Sequence, residues 1–230
     1  MNTPINIEFP EKGLVLLVGA SSAGKSTFAK NHFSPAAILS SDQCRTMVAN
    51  HEDVLDANEA TFAVLYLIVR KRLERGLFTI IDATNLDPES RKGLVHIAYE
   101  YHLNAYAIVL QPDLKTLRTR NQQRPDRQLP DRVIVHQHRR AQQAARQLRK
   151  EGFRRHWVLQ GEEDLQVTYQ LMPSDYKTLS GPFDIIGDVH GCYEELLGLL
   201  NKLGYLVQET TAGHFDISTP PGRKVIFVGD

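Results

Sequence analysis

A chain of 230 residues, 42% hydrophobic and 23% charged, is long enough for one large domain or for one domain and part of another, and apolar enough to bury a core. Its 27 Lys and Arg balance 27 Asp and Glu, so overall charge gives no sign of a polyanionic partner. No apolar run approaches about 18 residues, and the start, Met1-Asn2-Thr3-Pro4, has no basic-then-apolar leader pattern, which excludes an obvious membrane span and points to a cytoplasmic protein.

Residues 1–12 read as an irregular lead-in or a short edge strand, closed by the turn Pro10-Glu11-Lys12-Gly13. The apolar run Leu14-Val15-Leu16-Leu17-Val18 then reads as a buried strand. It delivers Gly19-Ala20-Ser21-Ser22-Ala23-Gly24-Lys25-Ser26, a match to G-x-x-x-x-G-K-[ST] followed by helix-compatible residues from Thr27 onward. This is the pattern of a phosphate-binding P-loop. The glycines let successive backbone NH groups turn toward phosphate oxygens, the helix start adds its positive dipole end, Lys25 reaches the β and γ phosphates, and the Ser26 hydroxyl suits Mg²⁺. The expected nucleotide-binding set is Gly19, Ser21, Ser22, Ala23, Gly24, Lys25, Ser26 and Thr27, and the ligand is ATP or another nucleoside triphosphate with Mg²⁺.

Ala36 to Leu39 reads as a second short strand delivering Ser40-Ser41-Asp42 to the sheet edge where ligands bind in α/β folds. Asp42 is either the cap of a helix over 43–48 or a carboxylate that orients an attacking hydroxyl and takes its proton. Arg45, three residues on, shares its helix face and could hold an acceptor phosphate. Asp56-Ala57-Asn58-Glu59 has capping-box spacing and opens a helix to about Arg75 with the apolar face Phe62, Leu65, Tyr66, Val69 and Leu73. Arg70, Lys71, Arg72 and Arg75 suit the carboxyl end of that helix and read as structural.

Leu77 to Ile81 reads as a strand ending at Asp82, which is a partner of Mg²⁺ directly or through water, a cap, or an anchor for the P-loop. A helix over 88–101, a strand over 105–110 and a helix from Pro112 continue the alternation of a parallel sheet covered on both faces. From Arg118 to Arg155 there are 12 Lys and Arg against 3 Asp and Glu. Pro125 and Pro130 break helical geometry between Arg120, Arg127 and a second helix over 131–150, so the segment is either a lid with arginines turned to the transferring phosphate or a solvated basic face. Arg132, Arg139, Arg140, Arg146 and Arg149 likewise offer an acceptor-strand surface or simply solvate that second helix. His156 to Leu159 closes the sheet, with Trp157 expected in the core. Cys44 and Cys192 have no CxxC partner and read as reduced thiols.

Together, Gly19 to Ser26, Ser41-Asp42 with Arg45, Asp82 to Asn85, and Arg120 with Arg127 resemble the kinase module of bacterial polynucleotide kinase-phosphatase, an RNA end-healing enzyme, over roughly residues 10–170. The resemblance implies transfer of the ATP γ-phosphate to 5′-hydroxyl ends of RNA or DNA. In it Lys25 and Ser26 bind phosphates and Mg²⁺, Asp42 is the general base, Arg45 contacts the acceptor, and Arg120 and Arg127 are lid arginines. It also implies other RNA-repair components as partners, and no membrane.

Residues 173–182 read as a linker between a kinase domain over 1–172 and the start of a second domain over 183–230. There Phe183 to Ile186 leads into Gly187-Asp188-Val189-His190-Gly191, and Lys224 to Val228 leads into Gly229-Asp230. These resemble the opening motifs of the metallophosphoesterase module of the same family. Asp188, His190 and Asp230 would be part of a two-metal site using Mn²⁺ or a similar ion, and the family's later ligands have no counterpart here. The expectation is an incomplete segment without independent phosphatase activity, marginally or partly ordered, in a chain that reads as a fragment. The overall expectation is an α/β P-loop NTPase-type parallel sheet with helices on both faces and a helical lid, followed by that segment. The alternatives are a P-loop kinase for a small alcohol, and a nucleotide-gated RNA-binding module without turnover.

Overall fold

The computed structural model describes residues 5–51, 53–125, 128–161, 163, 165–172, 176, 179–211 and 213–229. The chain forms two compact units, Met1–Met172 and Pro173–Asp230.

In the first unit five strands form one parallel sheet in the order β3-β4-β2-β5-β6, where β2 is Leu14–Val18, β3 Ile38–Ser40, β4 Thr79–Asp82, β5 Ala105–Leu110 and β6 Arg155–Leu159. Strands buried on both faces carry continuous apolar runs, and every residue of β2 and β5 is buried. Alternation along β2 divides the core in two. Leu14, Leu16 and Val18 face a cluster with Leu65, Val69 and Leu73 of α3 (Asn58–Glu74), Leu94 and Ala98 of α4 (Pro88–Glu100), and Ala141 and Ala144 of α6 (Asp131–Gln147). Val15 and Leu17 face the opposite cluster, with Ala29 of α1 (Lys25–His32), Leu117 of α5 (Leu114–Gln122) and Ile134 of α6.

That second face is extended by a separate parallel pair, β1 (Ile5–Pro10) with β7 (Leu165–Gln170). Phe9 of β1 lies 5.4 Å from both Phe78 and Tyr106 and 5.2 Å from Trp157, ring centre to ring centre. Trp157 is half-buried there and serves packing, with the Arg155 guanidinium 5.1 Å above its ring.

Three local expectations are corrected. Pro35 starts a 3₁₀ turn, Pro35–Ala37, so β3 begins two residues later than the apolar run suggests. The Asp56 to Glu59 capping box does not form, because Leu55–Ala57 is itself a 3₁₀ turn and α3 starts at Asn58 with no side-chain cap. Asp42 does not cap α2 (Ser41–Ala49). The Ser40 hydroxyl accepts from the NH groups of Asp42 and Gln43, so the helix begins earlier and Asp42 lies within its first turn. Three of the four cations at the basic end of α3 are paired as expected of structural residues: Arg70 with Glu100, Lys71 with Glu74, and Arg72 with the Thr79 hydroxyl and Phe78 carbonyl. The exposed Arg75 has no ion pair among the described residues.

The second unit contains β8 (Phe183–Ile186), α7 (Tyr193–Lys202), β9 (Leu206–Thr211), β10 (His214–Ser218) and β11 (Lys224–Phe227). β8 and β11 pair in parallel, β9 and β10 antiparallel, around a small core of Ile186, Leu200 and Tyr205. Asp184 is held by Arg223 and by the Tyr205 hydroxyl at 2.7 Å.

The one fully enclosed ion pair of the first unit, among the described residues, joins α4 to the 3₁₀ turn after α6. Arg91 Nε and Nη2 donate to Glu151 at 2.7 and 2.6 Å. Its Nη1 donates to the Asn85 carbonyl at 2.9 Å. Removing one partner leaves a buried charge, so Glu151→Ala should lower stability by about 3–5 kcal/mol, whereas Arg91→Met with Glu151→Leu should cost much less. Urea unfolding followed by fluorescence of Trp157, the single tryptophan, reads this unit; a loss under about 1 kcal/mol for Glu151→Ala would contradict the buried-pair account.

Candidate functional site

The carboxyl ends of the central strands lie level: Leu17 pairs with Asp82 and Ile108, and Ser40 with Asp82. The loop after β2, the start of α2 and the end of β4 therefore open into one cavity of about 770 Å³. Gly19 approaches β5 so closely that a Cβ would lie 2.6 Å from the Leu110 carbonyl oxygen, and Gly24 takes φ 92° to turn the chain into α1. The Gly19 NH donates to the Thr84 carbonyl at 3.0 Å, which ties the loop to the segment after β4.

Lys25 is buried, and its ammonium donates to the carbonyls of Gly19 (3.1 Å) and Ala20 (2.8 Å). Burial pushes its pKa down to about 8; the nearby Asp82 and Asp42 carboxylates oppose that shift and Arg124 adds to it. Ser22 sits at φ 65° with its buried hydroxyl oxygen lacking a hydrogen-bond partner among the described residues. A left-handed cradle, an unsatisfied hydroxyl and a buried ammonium fit a phosphate chain. The hydroxyl of Ser26 and the carboxylate of Asp82 line the same cavity and are the hard oxygen donors that Mg²⁺ takes.

Across the cavity, Asp42 Oδ1 accepts from Arg45 Nη1 at 2.8 Å, and Arg45 Nη2 donates to Asn58 Oδ1 at 3.1 Å. The Asp42 side chain is 54% exposed, toward the opening, whereas that of Arg45 is 7% exposed. Arg120 of α5 reaches the Ala23 carbonyl at 3.4 Å. Arg127 and Asp230 lie outside the described residues.

Among the described residues, six further lining residues escaped sequence reasoning as site residues. Gln137 of α6 accepts the Ser21 NH at 2.8 Å, and Asn58, Phe62, Arg124, Leu129 and Val133 line the wall with it. Phe62, expected on the core face of α3, lines the cavity instead, and only Arg124, inside the basic run, carried a signal for the site. Asn85 is buried below the site and donates to the Leu17 carbonyl at 2.7 Å, holding the end of β4 against the P-loop strand. In the second unit His190 Nδ1 is 3.8 Å from Asp188 Oδ2, and among the described residues no group of three His, Cys, Asp or Glu is placed to hold a metal. No helix among them is long and apolar enough to cross a membrane.

The parallel sheet, the P-loop cradle and the carboxylate facing it define a P-loop α/β protein with a kinase-like fold. A family model described as an AAA domain matches residues 14–148, more than half of the chain, and the chain belongs to that family. Its fold is similar to that of a chain in the Pnkp1/Rnl/Hen1 RNA repair complex, with a TM-score of 0.53 at 20% identity over 96% of this chain and 71% of that one. It is also similar to a chain of the PezAT chromosomal toxin-antitoxin system of Streptococcus pneumoniae, with a TM-score of 0.50 at 16% identity over 69% and 71%. In sequence, 48 residues, 21% of the chain, are 58% identical to the bis(5′-nucleosyl)-tetraphosphatase PrpE of Halalkalibacterium halodurans, and the match spans 18% of that relative.

The lowered pKa of Lys25 has a defined sign. In the free protein the ammonium is charged below about pH 8 and neutral above it, and bound phosphates favour the charged form. Nucleotide affinity should therefore be highest below pH 8 and fall by up to about tenfold per pH unit above it. Anisotropy of a labelled nucleotide between about pH 7 and 9.5 checks this, with Lys25→Met weak and flat throughout; a flat wild-type profile would contradict it.

Proposed function

We propose that the chain is an ATP-dependent polynucleotide 5′-hydroxyl kinase acting on RNA or DNA ends in nucleic-acid repair. The observation that carries this reading is the single cavity in which the buried Lys25 faces the paired Asp42 and Arg45, with Asn58, Phe62 and Val133 on the acceptor side. A carboxylate next to a held guanidinium and an apolar wall matches a nucleoside whose hydroxyl must be deprotonated while its own phosphate is gripped. The resemblance of the same residues to the end-healing kinases supports the reading, and the fold shared with a chain of an RNA repair complex is consistent with it.

A second cavity, of about 470 Å³, shares Gly24, Thr27 and Arg120 with the first and lies between Phe28, Asn31 and His32 of α1 and Gly161 and Glu163 after β6. We assign it to the donor nucleoside, so that Arg120 stands where base and phosphates meet. Arg120 and Arg124 then form a lid-side cover over the phosphates. Ser26 and Asp82 would hold Mg²⁺, which neutralises developing charge on the β and γ oxygens when bound.

In the reaction Asp42 accepts the 5′-hydroxyl proton as the 5′-oxygen bonds to the γ-phosphorus. The bond from that phosphorus to the β,γ-bridging oxygen breaks, ADP leaves, and Lys25 and Arg120 stabilise the charge on the transferring group. The chain's 48-residue likeness to PrpE has the same length as 183–230, and we assign it to that segment, the opening part of a metallophosphoesterase domain.

The test is transfer of labelled γ-phosphate from ATP with Mg²⁺ to a 5′-hydroxyl oligoribonucleotide, its 5′-phosphorylated twin and a DNA strand. Label should appear on the 5′-hydroxyl strands alone, and Asp42→Ala should lower kcat by about 10²–10⁴. ATP binding with no labelled strand would overturn the polynucleotide reading and direct the search to small alcohols.

A further inference from the structure

The helix that supplies Val133 and Gln137 to the cavity also carries a surface whose chemistry the reaction does not use. From Arg132 through Lys150 there is no acidic residue, against six basic ones. Arg132, Arg139 and Arg146 recur every seven residues, with His136 and Gln143 between them, and all five are exposed on one stripe of α6. Arg140 is separate: it turns inward to the Leu86 carbonyl at 3.0 Å.

Two observations set this stripe apart from an ordinary solvated face. The exposed cations Lys71 of α3 and Lys92 of α4 are paired, with Glu74 and Glu89. Where an exposed cation has no partner among the described residues, as Lys30 on α1 or Lys115 on α5, it stands alone and not in a row. Among the described residues, Arg132, Arg139 and Arg146 have no acidic or hydrogen-bonding partner, although mixed signs are what solubility and helix stability favour. The macrodipole explains a cation such as Arg146 in the last turn, but Arg132 stands in the first turn, where the dipole opposes it. Three unpaired guanidinium groups, one of them unfavourably placed, suit an anionic occupant rather than the helix itself.

We infer that this stripe is the track for the sugar-phosphate backbone of the acceptor strand behind its reacting 5′ end. The inference rests on the polynucleotide reading and adds where the rest of the strand lies. The geometry is continuous with the site: Arg132 and His136 each precede a residue that lines the cavity, and Gln137 fixes the helix to the P-loop. From Arg132 to Arg146 the stripe runs about 21 Å, long enough to follow several nucleotides. Arginines spaced along a helix bind phosphates without reading sequence, so acceptor length rather than sequence should control affinity.

The test compares the wild-type chain with the triple variant Arg132→Gln, Arg139→Gln, Arg146→Gln and with the matching Arg→Lys triple, in two measurements. In the first, anisotropy of a labelled single strand of about 20 nucleotides is followed against salt, which needs no turnover. The Gln variant should bind on the order of tenfold more weakly, with the log–log salt slope reduced by about 2, and the Lys variant should keep most of the binding. In the second, the ratio of kcat/KM for that strand to kcat/KM for a 5′-hydroxyl dinucleotide should fall in the Gln variant. Unchanged strand affinity and salt slope would overturn the inference, even with transfer intact. Absence of transfer from the wild-type chain would instead overturn the kinase reading, while the anisotropy still decides the stripe.

Discussion

A lysine ammonium held out of water is the constraint on which the site depends. Isolated, a buried charge is costly, and here Lys25 is accommodated by two carbonyls of its own loop and by the nearby Asp82 and Asp42. Those partners come from three segments: the P-loop itself, the end of β4 and the first turn of α2. Each is brought there by the parallel register that sets Leu17, Ser40 and Asp82 level. The sheet order with β2 between β4 and β5 is thus the arrangement that surrounds the cation, and the close approach of Gly19 to Leu110 is a consequence of it.

The remaining elements lock that arrangement. Asn85 ties the end of β4 to the Leu17 carbonyl, and the buried Arg91–Glu151 pair holds the Asn85 backbone in turn. On the other side α6 is shared between core and site, packing Ile134, Ala141 and Ala144 inward while Gln137 accepts the Ser21 NH. A cavity framed by such fixed groups is preorganised for charge, which is what phosphoryl transfer asks of a protein.

Much of this was legible in the sequence because it is written in local pattern. Leu14 to Val18 is too continuously apolar to be anything but a strand buried on both faces, and the P-loop follows it at fixed spacing. Asp82 could be placed at the end of its strand for the same reason, and Asp42 just beyond the end of β3, where it falls in the first turn of α2. Boundaries failed where a short 3₁₀ turn takes the first residues of an element, as at Pro35 and at Leu55–Ala57. Contacts made by tertiary structure left no trace: Gln137 meets Ser21 from 116 positions away, and Asn85 reaches Leu17 across 68. β7 was missed because its partner, β1, lies at the other end of the first unit's sequence. The arginine run was visible, but not which members turn inward, as Arg140 does, and which form the exposed stripe.

The central claim is that Asp42 faces an acceptor hydroxyl across from phosphates held by Lys25. A structure of the chain with a non-hydrolysable ATP analogue, Mg²⁺ and a 5′-hydroxyl dinucleotide tests it most directly. The account expects the γ-phosphate against Lys25 and Ser26, with the 5′-oxygen within hydrogen-bond reach of Asp42, about 2.6–3.2 Å, in line with the bridging oxygen. A dinucleotide bound away from Asp42, or phosphates seated outside the Gly19 to Ser26 loop, would contradict it.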